Sequence, residues 1–432
     1  MNQMGKKTRV AVVQGLRTPF VKSGTEFKEL SSLDLGKIAA VELINRTEID
    51  PGEIEKVIIG TVIPSIQTSN LAREIALGSG VPPSVPAFTV TSACASANQA
   101  FTAGVDSILS GESNAVLTGG VESISNFPVL FSKKFRDMYF ASSKGKNIFQ
   151  KARPFFKMGV SDVVPDIPAI AERSTGLMMG EAAEKMAMIH KISREEQDNY
   201  ALRSQNLASE ARKEGVLEDE IVHTFVPPDY RDVVTWDNAV RDDLDLETLS
   251  SLEPVFDSRY GTITSGNSAP LSDGGAVILL MSEDKAKALG YKPLGYVRSY
   301  AYGALDPGDE LLMGTAYSTP AALERAGLTL RDIDLIEMHE SFSAQVLSNL
   351  KVFSSKAFAR EKLGKSEPIG DVDLDKLNVS GGSIATGHPF GATGARLIIT
   401  LLYRLAGRSA NFGLVTLSAA GGIGVSIVLE KE

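Results

Sequence analysis

Val90-Thr91-Ser92-Ala93-Cys94-Ala95-Ser96-Ala97-Asn98-Gln99-Ala100 holds the only cysteine of a 432-residue chain. The run Ala87-Phe88-Thr89-Val90 leads in and predicts a strand; the small-residue pattern from Ala97 to Leu109 leads out and predicts a helix. Cys94 is therefore expected at a strand-to-helix junction, where unpaired N–H groups and the helix dipole favour a thiolate over a thiol. Taken alone, the residue fits a buried core cysteine equally well, because free cysteine is among the most buried residue types. The segments around it decide between the two.

Upstream, the chain alternates. Arg9–Gln14 and Val57–Val62 are apolar strand runs, and Leu33–Arg46 has helical periodicity. Asp50 followed by Pro51 starts a short helix as N-cap and first position. Asn70–Leu77 reads as a further helix, and Ala115–Gly120 is a strand that ends on glycines. Strands alternating with helices predict an α/β fold with a parallel sheet covered on both faces.

The second half echoes the first. Ala39–Val62 reads helix, short Asp-containing turn of helix, apolar strand; Ala321–His339 reads the same. Val90–Gly120 reads strand, small-residue turn, helix, strand, Gly-Gly; Val379–Gly422 follows the same order, with helix Gly394–Ala406 and strand Phe412–Leu417. The period is too long for a solenoid and indicates a duplicated α/β domain. The echo sets Gly387-His388-Pro389 at the position that Cys94 holds in the first half, so related halves would bring the two loops together.

Between the halves the character changes. Residues 131–160 carry eight basic side chains against the single acid Asp137, interleaved with Phe131, Phe135, Tyr139, Phe140, Phe149, Phe155 and Phe156. Such a surface suits an anionic membrane, a CoA phosphate or an acidic partner, and equally a solvated insertion. Ser193-Arg194-Glu195-Glu196 is a capping-box start for a helix to about Glu214. The expected division is 1–125 with 253–280, an inserted loop domain over 126–252, and 281–432.

Composition narrows the chemistry. A 43% hydrophobic, 22% charged chain fits a soluble globular protein, and a formal net charge of −9 argues against general nucleic-acid binding. One cysteine excludes an intrachain disulfide and a zinc–thiolate cluster, and four histidines scattered in sequence give a metal site little support. Met1–Arg9 has neither a signal-peptide core nor the length of a transit peptide, and no apolar run reaches the roughly 20 residues of a membrane span, so cytoplasm is the expected location. His190 and His223 lie in the variable middle and read as surface residues. His388 is set among Gly387, Gly391 and Gly394, which let backbone approach closely. A cysteine needs a neighbour to take its proton, and His388 is the candidate.

Four motifs in order resemble the thiolase family over nearly the whole chain. They are Ser92-Ala93-Cys94-Ala95-Ser96, Gly261–Ser268 with Asp273-Gly274, Gly387-His388-Pro389 with Gly391-Ala392-Thr393-Gly394, and Ser418-Ala419-Ala420-Gly421-Gly422. His339-Glu340-Ser341-Phe342, Arg17-Thr18-Pro19-Phe20 and the Phe131-Ser132-Lys133-Lys134 insertion resemble the β-subunits of fatty-acid-oxidation complexes; ordinary thiolases have Asn where His339 stands. The resemblance implies a five-layer αβαβα sandwich of two similar halves with an inserted loop domain. It implies thiolysis of 3-ketoacyl-CoA, with CoA thioesters as substrates and no metal or redox cofactor. It also implies a homodimer or homotetramer and an accompanying α-subunit with hydratase and dehydrogenase activities.

Carried over by position, Cys94 is the nucleophile, His388 its activator, and His339 a donor for the enolate oxygen. The N–H groups of Cys94 and Ala420 form a second oxyanion hole, and Met179, Ser268 and Phe342 line the pantetheine and acyl path. One position departs from the family pattern. The second cysteine, which shuttles the α-proton, is expected at Ser418 or Ser341, and both are serine. The proton is then carried by a histidine, or turnover is weakened. A Cys-His-His set of Cys94, His339 and His388 also resembles the decarboxylating β-ketoacyl synthases, and a synthetic, acetoacetyl-CoA-forming direction is a further alternative.

Overall fold

The computed structural model describes residues 8–159, 162, 171–408 and 410–431. The chain divides into two compact units, Met1–Asn126 with Glu172–Glu432, and Phe127–Ala171.

The larger unit is built on strands β1 (Val10–Arg17), β2 (Val21–Lys22), β3 (Lys56–Gly60), β4 (Ala87–Val90), β5 (Ala115–Glu122), β6 (Thr224–Phe225), β7 (Val233–Val234), β8 (Ser272–Ser282), β9 (Gly295–Ala304), β10 (Leu335–Met338), β11 (Phe412–Ala419) and β12 (Ile423–Glu430). β6 and β7 pair with each other; the rest form one sheet in the order β10-β11-β12-β9-β1-β8-β5-β3-β4, with β2 on β8. The two ends of this order repeat. β3 is parallel to β5, β5 antiparallel to β8, and β8 antiparallel to β1. Likewise β10 is parallel to β11, β11 antiparallel to β12, and β12 antiparallel to β9. The halves join where β1 meets β9, with Val10 opposite Val297 and Val12 opposite Gly295.

The sheet is mixed, whereas strand–helix alternation predicts a parallel one. β11 turns directly back into β12 through Gly421-Gly422, and a connection that tight can only make antiparallel neighbours.

Strand residues alternate between faces. Val10, Val12, Ile278, Leu280, Val415 and Leu417 share one core with the helices Ser96–Leu109 and Thr393–Ala406. Ala11, Val13, Val277 and Leu279 face the helices Ser32–Thr47 and Leu71–Gly78. Leu414 and Val428 face the helices Gly314–Ala326 and Ser343–Phe353. The layers therefore run helices, half-sheet, two central helices, half-sheet, helices. The central helices begin just after Cys94 and His388, so the duplication aims both loops at one place.

The segment expected as an inserted loop domain over 126–252 contains residues of both compact units. Helices Met179–His190 and Arg194–Lys213 bury Ala183, Met186, Tyr200 and Ala201 in one core with Ala344 and Val346, within the larger unit. Ser193 caps the second of these through the reciprocal bonds that its sequence signalled. Only Phe127–Ala171 stands as its own unit, with helices Lys133–Ser143 and Ile148–Ala152. Phe131 stacks on Phe135 at 4.7 Å, while Phe149 and Phe156 are each 80% exposed. No described helix is long and apolar enough to cross a membrane.

Candidate active site

The Cys94 loop is a strained turn. Ala93 sits at φ +47°, in the left-handed region that residues with a Cβ seldom adopt. Ser96 holds it there: its Oγ accepts the Ser92 N–H at 2.8 Å and donates to the Ala93 carbonyl at 2.6 Å. The central helix starts at Ser96, so Cys94 lies two residues before it.

His388 arrives from the other half. Its loop turns at Gly387, φ +100°, where a Cβ would lie 2.3 Å from Ser272 Oγ. A Cβ on Gly120 would lie 1.9 Å from the Gly391 carbonyl, so β5 and the His388 loop touch backbone to backbone. His388 Nε2 stands 3.4 Å from Cys94 Sγ, and its Nδ1 stands 2.6 Å from Thr393 Oγ1. The Thr393 hydroxyl donates its one hydrogen to the Pro389 carbonyl at 3.0 Å. It must therefore accept from His388 Nδ1–H, which leaves the lone pair on Nε2, facing the thiol.

His339 ends the strand β10 and packs beside His388 with ring centroids 4.2 Å apart. It is 1% exposed, and its Nδ1 is 2.9 Å from Ser383 Oγ. Cys94, His388 and His339 are thus one cluster. Ala420, at the start of the β11–β12 turn, aims its N–H at the Cys94 sulfur. Ser418 lies two residues earlier, 2% exposed, and its Oγ accepts the Thr315 N–H at 3.2 Å. Ser268 and Phe342 pair as an isolated bridge, and Phe342 meets Phe256 edge to face at 6.1 Å. Met179, at the start of its helix, packs against the same apolar cluster as Phe256 and Phe342. His223 is exposed as expected, but His190 is half-buried and paired with Glu310, because its helix packs on the segment Pro307–Glu310.

One expectation is reversed. Burial pushes the Cys94 thiol up to about 12, against the pull of the Ala420 and Cys94 N–H groups. By area Cys94 is only partly buried, yet its side chain packs on the apolar central core, and that contact outweighs the helix terminus. Burial, then the nearby Arg396 cation, brings His388 down to about 3, and burial with His388 and Arg396 holds His339 well below the usual imidazole range. With those shifts the resting pair is a thiol and a neutral imidazole. Alkylation of Cys94 by iodoacetamide is therefore expected to rise about tenfold per pH unit from pH 6 to 9. A plateau across that range would mean a preformed thiolate, and the absence of any other cysteine makes the readout unambiguous.

Glu122 and Glu340 are buried carboxylates to which the sequence reading gave no role. Glu122, 0% exposed at the end of β5, accepts from the Val62 N–H at 2.9 Å, the Ile63 N–H at 3.1 Å, the Gly391 N–H at 3.0 Å and Thr61 Oγ1 at 3.2 Å. It ties the loop after β3 to the His388 loop. Glu340 accepts from Tyr200, Ser204, Asn378 and the Ile384 N–H, and so fixes the chain next to His339. An acid at the end of an apolar strand run was the available signal, Glu122 as the last residue of β5 and Glu340 two residues past β10.

The thiolase N-terminal domain family matches residues 10–284, and the thiolase C-terminal domain family matches residues 291–431. A 3-ketoacyl-CoA thiolase of Aliivibrio fischeri is 48% identical over 424 residues, which is 98% of this chain and 96% of that protein. The crystal structure of the Bacillus anthracis acetyl-CoA acetyltransferase superposes with a TM-score of 0.84 at 31% identity, covering 98% of this chain and 99% of that one. The human mitochondrial 3-ketoacyl-CoA thiolase in complex with CoA gives a TM-score of 0.84 at 29% identity and covers both chains completely. With both family domains matched in order across nearly every residue, the chain belongs to the thiolase family.

Proposed function

We propose that this acyltransferase cleaves 3-ketoacyl-CoA with free CoA, giving acetyl-CoA and a shortened acyl-CoA through an acyl-Cys94 intermediate, in fatty-acid β-oxidation. The observation that carries the reading is His388 Nε2, lone pair outward, 3.4 Å from Cys94 Sγ. Cys94 gives its proton to His388 as the sulfur attacks the C3 carbonyl. The N–H groups of Cys94 and Ala420 receive the oxyanion, at about 3 kcal/mol of barrier for such a donor. Collapse breaks the C2–C3 bond, leaves the acyl group on Cys94 and releases the acetyl-CoA enolate. The enolate oxygen is held by His339, and C2 takes the proton back from His388. A CoA thiol then gives its proton to His388 and attacks the thioester. Expulsion of the Cys94 sulfur, which recovers that proton, closes the cycle with no metal or redox step. Met179, Ser268 and Phe342 line the path of the acyl and pantetheine chain.

Ser418 is not the shuttle in this scheme, because a hydroxyl is a far weaker acid than a thiol. Ser418→Cys is expected to change thiolysis by less than about tenfold; a gain of orders of magnitude would mean that the native loop is impaired. The direct test is acid quenching with acetoacetyl-CoA in the absence of free CoA. Mass spectrometry should find the acetyl group on the peptide containing Cys94, and its absence would overturn the proposal. The ring contact of His339 with His388 also favours a second reading, a decarboxylating Cys-His-His synthase, which condensation of a malonyl-carrier protein would reveal. Net synthesis of acetoacetyl-CoA would identify the biosynthetic direction.

The same reading brings a cytoplasmic homo-oligomer and an accompanying subunit with hydratase and dehydrogenase activities. Two features support association. β4 is a sheet edge with Phe88 exposed, and the basic segment 131–160 presents Phe149 and Phe156 to an acidic partner or anionic membrane.

A further inference from the structure

We propose that Glu337, Arg396 and Ser383 form a buried relay that fixes His339 as a hydrogen-bond donor through Nε2, making these three the positioning residues for the enolate oxygen; the inference rests on the thiolase reading above. Arg396 Nη1 donates to Glu337 Oε2 at 3.1 Å, and Arg396 Nη2 donates to Ser383 Oγ at 2.9 Å. Ser383 Oγ lies 2.9 Å from His339 Nδ1. Every member is at most 1% exposed, so water does not stand in for a missing partner.

The direction of each bond follows from the groups. A guanidinium only donates, so it takes a lone pair of the Ser383 oxygen. The hydroxyl has one hydrogen, and His339 Nδ1 is the acceptor beside it. A hydrogen on Nδ1 would leave the Ser383 hydroxyl hydrogen buried and unpaired, which is costly in a dry core. Nδ1 therefore carries the lone pair, and a neutral imidazole must then hold its hydrogen on Nε2. That nitrogen is buried and has no partner among the described residues. A buried donor left open beside His388 is what an incoming thioester oxygen needs. Burial and the two neighbouring positive or ionisable groups, His388 and Arg396, oppose a second proton on His339.

The two histidines thus have opposite tautomers for local reasons. Thr393 accepts from His388 Nδ1–H and leaves a base; Ser383, its oxygen occupied by Arg396, donates to His339 Nδ1 and leaves a donor. Glu337 accepts from the buried guanidinium and so holds Arg396 against Ser383, while burial pushes the Glu337 carboxyl up to about 8. The relay comes from three elements: β10, the short helix Ser383–Thr386 and the central helix Thr393–Ala406.

Neutron diffraction from the intact, perdeuterated protein reads the tautomer directly and requires no variant. Deuterium on His339 Nε2 and none on Nδ1 is the expected result; deuterium on Nδ1 overturns the relay. Kinetics supply the second arm. Ser383→Ala is expected to lower kcat of acetoacetyl-CoA thiolysis about 10- to 100-fold with KM nearly unchanged, less than outright deletion of an oxyanion donor. In a His339→Asn background, where an amide donates whatever its neighbour does, Ser383→Ala should cost less than about threefold, because the interaction it severs is already gone. Equal losses in both backgrounds would reduce Ser383 to a packing role and overturn the proposal. Absence of acyl-Cys94 in the unsubstituted enzyme would instead overturn the thiolase reading, so the two failures are distinct.

Discussion

Cys94→Ser is expected to reduce thiolysis of acetoacetyl-CoA by at least about 10⁴-fold while leaving the melting temperature within a few degrees, because knocking out an activated nucleophile removes nearly all covalent catalysis. The substitution exchanges one atom at a partly exposed site, so little packing is lost. The loop geometry also survives, since it is set by the Ser96 hydroxyl and the Ala93 backbone rather than by the sulfur. What changes is the acid–base match. His388, brought down to about 3 by burial and Arg396, is a weak base that can accept from a thiol during attack. A serine hydroxyl is several orders of magnitude less acidic, and an acyl-serine ester would be a poor substrate for the second thiol. Thiolysis rates together with mass spectrometry of the acyl adduct check this. Retention of more than about 1% activity would show that Cys94 is not the nucleophile.

The residues that could be read in advance share one property: their signal is local. A lone cysteine between a strand run and a small-residue helix, and a histidine among glycines, mark themselves within ten positions. The duplication then pairs them, because equivalent loops of two related halves meet, with His388 Nε2 3.4 Å from Cys94 Sγ. The thiolate expectation failed for the opposite reason. A helix terminus is a local feature, whereas the apolar contact that pushes the thiol up comes from residues of both halves. The parallel sheet failed in the same way, since alternation of elements does not say which neighbour a strand takes. Arg396 gives no sign in sequence that it lies between Glu337 and Ser383. The packing of Met179–Lys213 was not legible, because the segment is polar on its exposed side and the alanines and Tyr200 that anchor it show only when packed.

Glu122 tests how far the site depends on residues that no motif marks. Glu122→Ala leaves the buried Gly391 N–H and the half-buried Val62 and Ile63 N–H groups without an acceptor. At about 1–3 kcal/mol for each orphaned donor the three span about 3–9 kcal/mol, and because water reaches Val62 and Ile63 the expected loss lies in the lower half of that range, seen as a lower denaturation midpoint. Glu122→Gln keeps the volume but turns an amide nitrogen toward N–H donors. Gly391 is three residues past His388, so a slack loop shifts the base. Displacements of about 1 Å cost about 100-fold in rate, and a fall of that size in kcat/KM is expected. The pH profile separates this from general destabilisation. Burial pushes Glu122 up to about 7 against the Val62, Ile63 and Gly391 donors, so protonation below neutrality places a hydrogen where donors already point. In the unsubstituted enzyme kcat/KM should therefore fall as pH drops through about 7. Burial and Arg396 bring His388 down to about 3, outside this range, and the comparison with Glu122→Gln separates Glu122 from Glu337, which burial pushes up to about 8. In Glu122→Gln that acid limb should vanish, leaving a flat, low profile from about pH 8 to pH 5. An acid limb that persists unchanged in Glu122→Gln would place the titrating group elsewhere and remove Glu122 from control of the His388 loop.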